Sequence, residues 1–182
     1  MNIENVHYLN IFLGSGAILL QVLSVIALFL LFIGPKKNKY LAFIDKHYLQ
    51  LGFLVALLAS VFPLVYSEIV GFIPCYLCWW QRVFLIPTVF VFGTAIWAKD
   101  RKIVKYVLPL LSVGFLISVY MNLVYYFKKG AENIPCDASG VSCYKHYITE
   151  FGGYISMPMM ALTAFFSLLT IVLVAHFYKK ED

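Results

Sequence analysis

Four cysteines stand in the 182-residue chain, and two of them, Cys75 and Cys78, are separated only by Tyr76 and Leu77. Thiols at that spacing can form a redox-active disulfide, bind a metal, or staple a loop. The attacking species in exchange is the thiolate, and a cysteine of ordinary pKa, about 8.5, is mostly protonated at neutral pH. Activation therefore needs a local cause. If a helix begins near Pro74, the proline sits well in its first turn, because its missing N–H would have no intrahelical partner. Residues 75, 78 and 82 then share one face. A helix amino terminus and the Arg82 guanidinium both favour a thiolate, so Cys78 is expected to be the activated sulfur.

The elements that position this pair are membrane helices. The chain is 62% hydrophobic and 13% charged, too apolar for a soluble globular domain. Five stretches, roughly 8 to 33, 49 to 72, 80 to 97, 104 to 127 and 154 to 177, reach the length of about 20 residues that a span needs. Continuous apolar runs without two-residue alternation exclude a barrel, so the fold class is all-α, a polytopic membrane helical bundle. Ten of the fourteen basic residues fall on one side: Lys36, Lys37, Lys39 and Lys46; Lys99, Arg101, Lys102 and Lys105; Lys179 and Lys180. The positive-inside rule makes that side cytoplasmic. The amino terminus and all four cysteines are then extracytoplasmic and the carboxy terminus cytoplasmic. Short dispersed basic clusters do not form the stripe that nucleic acid would require. An oxidising exterior also permits disulfides.

No repeat or linker divides the chain, so residues 1–182 are expected to form one integral membrane domain. The first stretch has no preceding basic residue and exceeds a signal core, and it reads as a retained anchor. In the loop of about 128 to 153, Gly130, Pro135 and Asp137-Ala138-Ser139-Gly140 read as turns. Tyr144, Tyr147, Ile148 and Phe151 follow at the spacing of a short interfacial helix ended by Gly152 and Gly153.

Zinc on four thiolates is disfavoured, because Cys136 and Cys143 have six residues between them where zinc sites have two to four. No metal is expected. A structural bridge remains open for Cys136 and Cys143, whereas a CxxC bridge gains little from loop closure. Arg82 reads either as an interfacial anchor beside Trp79 and Trp80 or as the partner of a quinone carbonyl. His7, His47, His146 and His176 have no paired ligand spacing and receive no catalytic role. Met157-Pro158-Met159-Met160 reads as the packed first turn of the fifth helix, and Glu68 as a pairing partner for an outer cation.

Pro74-Cys75-x-Leu77-Cys78-Trp79-x-Gln81-Arg82 followed by Pro87 resembles the signature of the disulfide bond formation protein B (DsbB) family. The second cysteine pair, Gly153-Tyr154-Ile155-Ser156-Met157-Pro158 and Leu162-Thr163-Ala164-Phe165 are similar to its Gram-positive (BdbC-like) branch, over residues 49 to 177. The resemblance implies a four-helix redox core with one additional N-terminal helix. It implies reoxidation of an extracytoplasmic thioredoxin-fold (DsbA/BdbD-like) thiol oxidase, with electrons passed to the membrane quinone pool as menaquinone or ubiquinone. Cys136 would form the mixed disulfide with the partner, Cys143 would exchange with Cys75, and Cys78 would react with quinone. Arg82 and Gln81 fall among the quinone-site residues. Many relatives carry a histidine where Ser118-Val119-Tyr120-Met121-Asn122 has none, and Asn122 is the candidate to supply a hydrogen bond in its place.

Two other readings stand beside this one. A vitamin K epoxide reductase-like quinone reductase also joins loop cysteines to a membrane CxxC, but there the CxxC follows the loop pair. A non-enzymatic scaffold with two structural disulfides is the third. The scarcity of ionisable residues in the spans argues against an ion pathway.

Overall fold

The structure is a computed structural model that describes residues 3–34, 38–127 and 151–178. Cys136 and Cys143, the turns and short helix expected between 130 and 150, and the basic residues at 36, 37, 179 and 180 lie outside the described residues.

Among the described residues there are five helices long and apolar enough to cross a membrane, and no strand. The chain is a multi-pass membrane protein. The helices are α1 (Ile3–Phe32), α2 (Lys39–Val65), α3 (Tyr76–Ala98), α4 (Val104–Phe127) and α5 (Met157–Phe177). α2 to α5 form a ring in which α2 packs on α3 and α5, and α4 on α3 and α5. α1 lies outside the ring, mainly against α5. Neighbouring ends meet as up-and-down packing requires: Arg82 at the start of α3 reaches Pro63 near the end of α2, and Tyr126 at the end of α4 reaches Ser156 just before α5. At the other end of the bundle, Tyr178 reaches Asn38.

α5 is the most enclosed span, with Phe165, Leu168, Val172 and Val174 buried. Its approach to α4 is set by Gly114, where a Cβ would stand 2.2 Å from Phe165 Cε1. Van der Waals fit of this kind drives association where lipid is as apolar as the core. The outward faces carry exposed Phe90, Leu116 and Phe29, as lipid contact demands.

Two helix starts differ from expectation. α2 begins ten residues before its hydropathy does, because Asn38 caps it through Oδ1 to Tyr40 N–H at 2.9 Å and Leu41, Ile44 and Tyr48 bury one face. A break at His47, φ −115°, separates this amphipathic prefix from the apolar span. α3 begins at Tyr76, so Pro74 precedes the helix instead of opening it. Cys75 is its N-cap in an extended conformation, φ −75° and ψ 169°. Pro158 does stand in the first turn of α5, behind the Ser156 cap.

Candidate functional site

The CxxC pair straddles the helix boundary. Cys75 ends the irregular segment and Cys78 lies in the first turn of α3, where backbone N–H groups still lack intrahelical partners. The Trp79 N–H makes the first helical bond, to Cys75 O at 3.2 Å. This step brings the sulfurs together: Cys75 Sγ donates to Cys78 Sγ at 3.3 Å, the geometry of a dithiol poised to close a bridge. Cys75 is buried against Met121 of α4, while Cys78 is half-buried. Of the two, Cys78 is therefore the sulfur open to a reactant.

Arg82 shares the Cys78 face, but its head turns toward α2. Nη2 donates to Pro63 O at 2.8 Å and to Ser67 Oγ at 3.3 Å, and the guanidinium lies 5.2 Å from the Trp79 ring centroid. A π-turn at Tyr66–Val70, ended by Gly71 at φ 86°, widens the end of α2 here and presents Ser67. Ser67 in turn donates to either Leu64 O or Glu68 Oε1, each at 3.2 Å, so Glu68 is linked to Arg82 through a hydroxyl. Arg82 is only 8% exposed. That burial is incompatible with a snorkelling anchor, a part that the exposed Trp79 and Trp80 play instead.

Gln81 and Asn122 join α3, α4 and α5. Gln81 Nε2 donates to Ser118 Oγ at 3.1 Å. Asn122 Nδ2 donates to Ser118 O and to Pro158 O, both at 2.8 Å. Two carbonyls facing one amide nitrogen fix which way the side chain is turned. Its capacity as a donor is used up, so Asn122 can offer a ligand only an acceptor.

Among the described residues, Arg82 Nε, Asn122 Oδ1 and Ser60 Oγ, three buried polar atoms in this half of the bundle, find no hydrogen-bond partner. Ser60 escaped the sequence reading. It lies one turn before Pro63 on α2, and its hydroxyl lacks the bond to the carbonyl four residues back that Thr88, Ser112 and Thr170 make. The three atoms are one donor, one acceptor and one hydroxyl, on α3, α4 and α2. A cleft of about 820 Å³ lined by Asp45, Lys46, Lys99 and Tyr178 lies at the opposite end of the bundle, away from the sulfurs. Among the described residues no cluster of His, Cys, Asp or Glu is suited to a metal.

A helical bundle with a dithiol at the mouth of one helix defines a membrane thiol-disulfide oxidoreductase. The comparisons narrow the class. The family described as "Disulfide bond formation protein DsbB" matches residues 45–175. Disulfide bond formation protein C of Bacillus subtilis is 37% identical over 134 residues, covering 74% of this chain and 96% of the relative. Probable disulfide formation protein C 2 of Bacillus anthracis is 30% identical over 139 residues, covering 76% and 97%. A probable disulfide formation protein of Metapseudomonas resinovorans is 32% identical over 126 residues, covering 69% and 87%. No solved structure matches significantly. The chain belongs to the disulfide bond formation protein B family, and its role is disulfide-bond formation at the membrane. Membership favours this reading over the scaffold and over the vitamin K epoxide reductase-like alternative.

Proposed function

We propose that the protein, as a single domain with its CxxC end extracytoplasmic, reoxidises a thioredoxin-fold thiol oxidase and delivers the electrons to a membrane quinone. The observation that carries this reading is the 3.3 Å dithiol in the same half of the bundle as buried polar atoms of α2, α3 and α4 that have no partner among the described residues. The partner's thiolate attacks Cys136 of a Cys136–Cys143 disulfide, forming a mixed disulfide and releasing the Cys143 thiolate. The partner's second thiol resolves it, leaving the partner oxidised and Cys136 and Cys143 as thiols. Cys143 then attacks Cys75 of the Cys75–Cys78 disulfide and Cys136 resolves that link, so the loop bridge re-forms and Cys75 and Cys78 hold two electrons and two protons. A quinone supplies a two-electron, two-proton acceptor. Cys78, the half-buried sulfur, is the one that meets it, and Cys75 closes the bridge when the electrons leave.

Arg82 Nε donates to an oxygen of the acceptor and favours the negative charge that gathers there. Asn122 Oδ1 accepts from a hydroxyl and so selects the reduced product over the carbonyl form. The Ser60 hydroxyl can do either. Gln81 acts one layer back by holding α3 to α4.

The test supplies purified protein with a reduced thioredoxin-fold partner and a soluble quinone and follows quinol formation. Wild type should form quinol continuously and Cys78→Ser none. Quinol formed equally without Cys78 would overturn the assignment. A reduced partner that lacks its second active-site thiol should accumulate a mixed disulfide with Cys136, because the thiol that would resolve it is gone.

A further inference from the structure

The family match begins at residue 45, and α1 lies wholly before it. A helix serving only as a lipid anchor would bury no asparagine or glutamine, since unpaired polar groups in a span are costly. α1 presents Asn10, Gly14, Gln21 and Ser24 at one-face spacing, and each meets another part of the protein. Ser24 Oγ donates to Ser167 Oγ at 3.0 Å and Gln21 Nε2 to Thr163 Oγ1 at 2.7 Å, which fixes α1 on α5.

The CxxC end of the same face does something more specific. Tyr66 OH donates to Asn10 Oδ1, and both residues are buried. Tyr66 opens the π-turn whose next residue accepts from Arg82. Its carbonyl takes the Phe72 N–H at 3.0 Å and its ring stacks on Phe72 at 5.7 Å, three residues before Cys75. One turn along α1, a Cβ at Gly14 would stand 2.5 Å from Phe151 Cε2, so the missing side chain is the space that the Phe151 ring fills. Phe151 holds φ 57°, a left-handed conformation rare for a bulky residue. It lies eight residues after Cys143 in the chain. Tyr154 OH adds a bond to Gln21 Oε1 at 3.0 Å.

We propose that α1 is a positioning helix for exchange between the two cysteine pairs: Asn10 fixes the chain leading to Cys75, while Gly14 and Gln21 hold Phe151 and Tyr154, which follow the second pair in the sequence. The proposal rests on the redox roles given above. It assigns to the extra helix a role in transfer between the pairs, with the quinone step left to the ring of four.

Single-turnover oxidation of a reduced thioredoxin-fold partner, with quinone omitted, reads that transfer directly. Protein carrying both disulfides oxidises two partner dithiols, the first with the loop bridge and the second only after exchange with Cys75–Cys78 has renewed it. Asn10→Leu, Gln21→Leu and Gly14→Leu should keep the first phase within twofold of wild type and slow the second at least tenfold. Phe151→Gly added to Gly14→Leu vacates the clash and relaxes the left-handed residue, and should recover most of the second phase. Tyr66→Phe should match Asn10→Leu without adding to it.

Unchanged second phases, or loss of both phases together, would overturn the proposal and leave the redox reading standing. A wild-type protein that oxidises no partner overturns the redox reading and this proposal with it. Failure of quinol formation alone, with two partner equivalents still oxidised, counts only against the quinone step.

Discussion

Replacing Arg82 by lysine and by methionine separates two tasks that the guanidinium performs at once. Nη2 ties α3 to α2 through Pro63 O at 2.8 Å and Ser67 Oγ at 3.3 Å, and the charge lies over Trp79. Nε, in a residue 8% exposed, has no partner among the described residues. A hydrogen bond from a charged donor contributes about 1.5–3 kcal/mol. If Nε donates to a quinone oxygen, losing that bond raises the quinone KM by about tenfold to a hundredfold, at about 1.4 kcal/mol per decade. Lysine keeps a cation that can hold Pro63 O but has no donor along its stem. Arg82→Lys should therefore show the raised KM with a thermal midpoint near wild type. Arg82→Met loses the tether and the cation–π contact as well, so it should combine the raised KM with a lower midpoint and a lower kcat. The assay is quinone absorbance in detergent with a soluble short-chain quinone, beside thermal unfolding. Arg82→Lys at the wild-type KM would refute the Nε donor, and equal midpoints for lysine and methionine would refute the tether.

Three further outcomes test the rest of the structure. Asn122→Leu removes two hydrogen bonds, worth about 0.6 kcal/mol each between membrane helices, and also removes an unpaired oxygen. Stability should change little, while product inhibition by quinol weakens several-fold and the quinone KM holds; stronger inhibition would show that Oδ1 is not the acceptor. Gly114→Val drives a side chain into Phe165, whose Cε1 lies 2.2 Å from the Cβ position. Overpacking of this kind costs about 1–3 kcal/mol, and an unchanged thermal midpoint would refute the close α4–α5 contact. In intact cells a membrane-impermeant thiol reagent should label a Cys78-only variant, and labelling only after permeabilisation would invert the topology.

Span number and the common face of Cys78 and Arg82 were legible because both follow from periodicity and hydropathy alone. The start of α2 was not: it depends on the Asn38 cap and on a face of Leu41, Ile44 and Tyr48 interrupted by Lys39, Asp45 and Lys46, which averaging over a span dilutes. Pro74 fits a first turn by preference, yet the chain reaches Cys75 still extended, so the helix opens two residues later, at Tyr76. Gln81 came into the site through a family motif, and the structure shows its amide nitrogen bonded to Ser118 of α4. The first stretch reads from the sequence only as an anchor, and the face of Asn10, Gln21 and Ser24 within its apolar run emerges with the structure. What it faced was not visible, since sequence spacing along one helix says nothing of which neighbour crosses it.

The buried hydroxyls and amides show where polarity in this bundle is structural and where it is available for chemistry. On α5, Thr163, Ser167 and Thr170 return their protons to carbonyls one turn back, and Thr163 and Ser167 also accept from α1. Gln81 and the Asn122 amide nitrogen close contacts between α3, α4 and α5. Each of these groups is satisfied inside the protein, as a site without water requires. Among the described residues Arg82 Nε, Asn122 Oδ1 and Ser60 Oγ are not, and all three lie toward the end of the ring where α3 begins with its cysteines. An unpaired buried polar atom costs about 1–3 kcal/mol. If these atoms complete the proposed quinone site, removing all three with Arg82→Lys, Asn122→Leu and Ser60→Ala should leave a folded protein that still forms both disulfides and no longer passes their electrons to quinone.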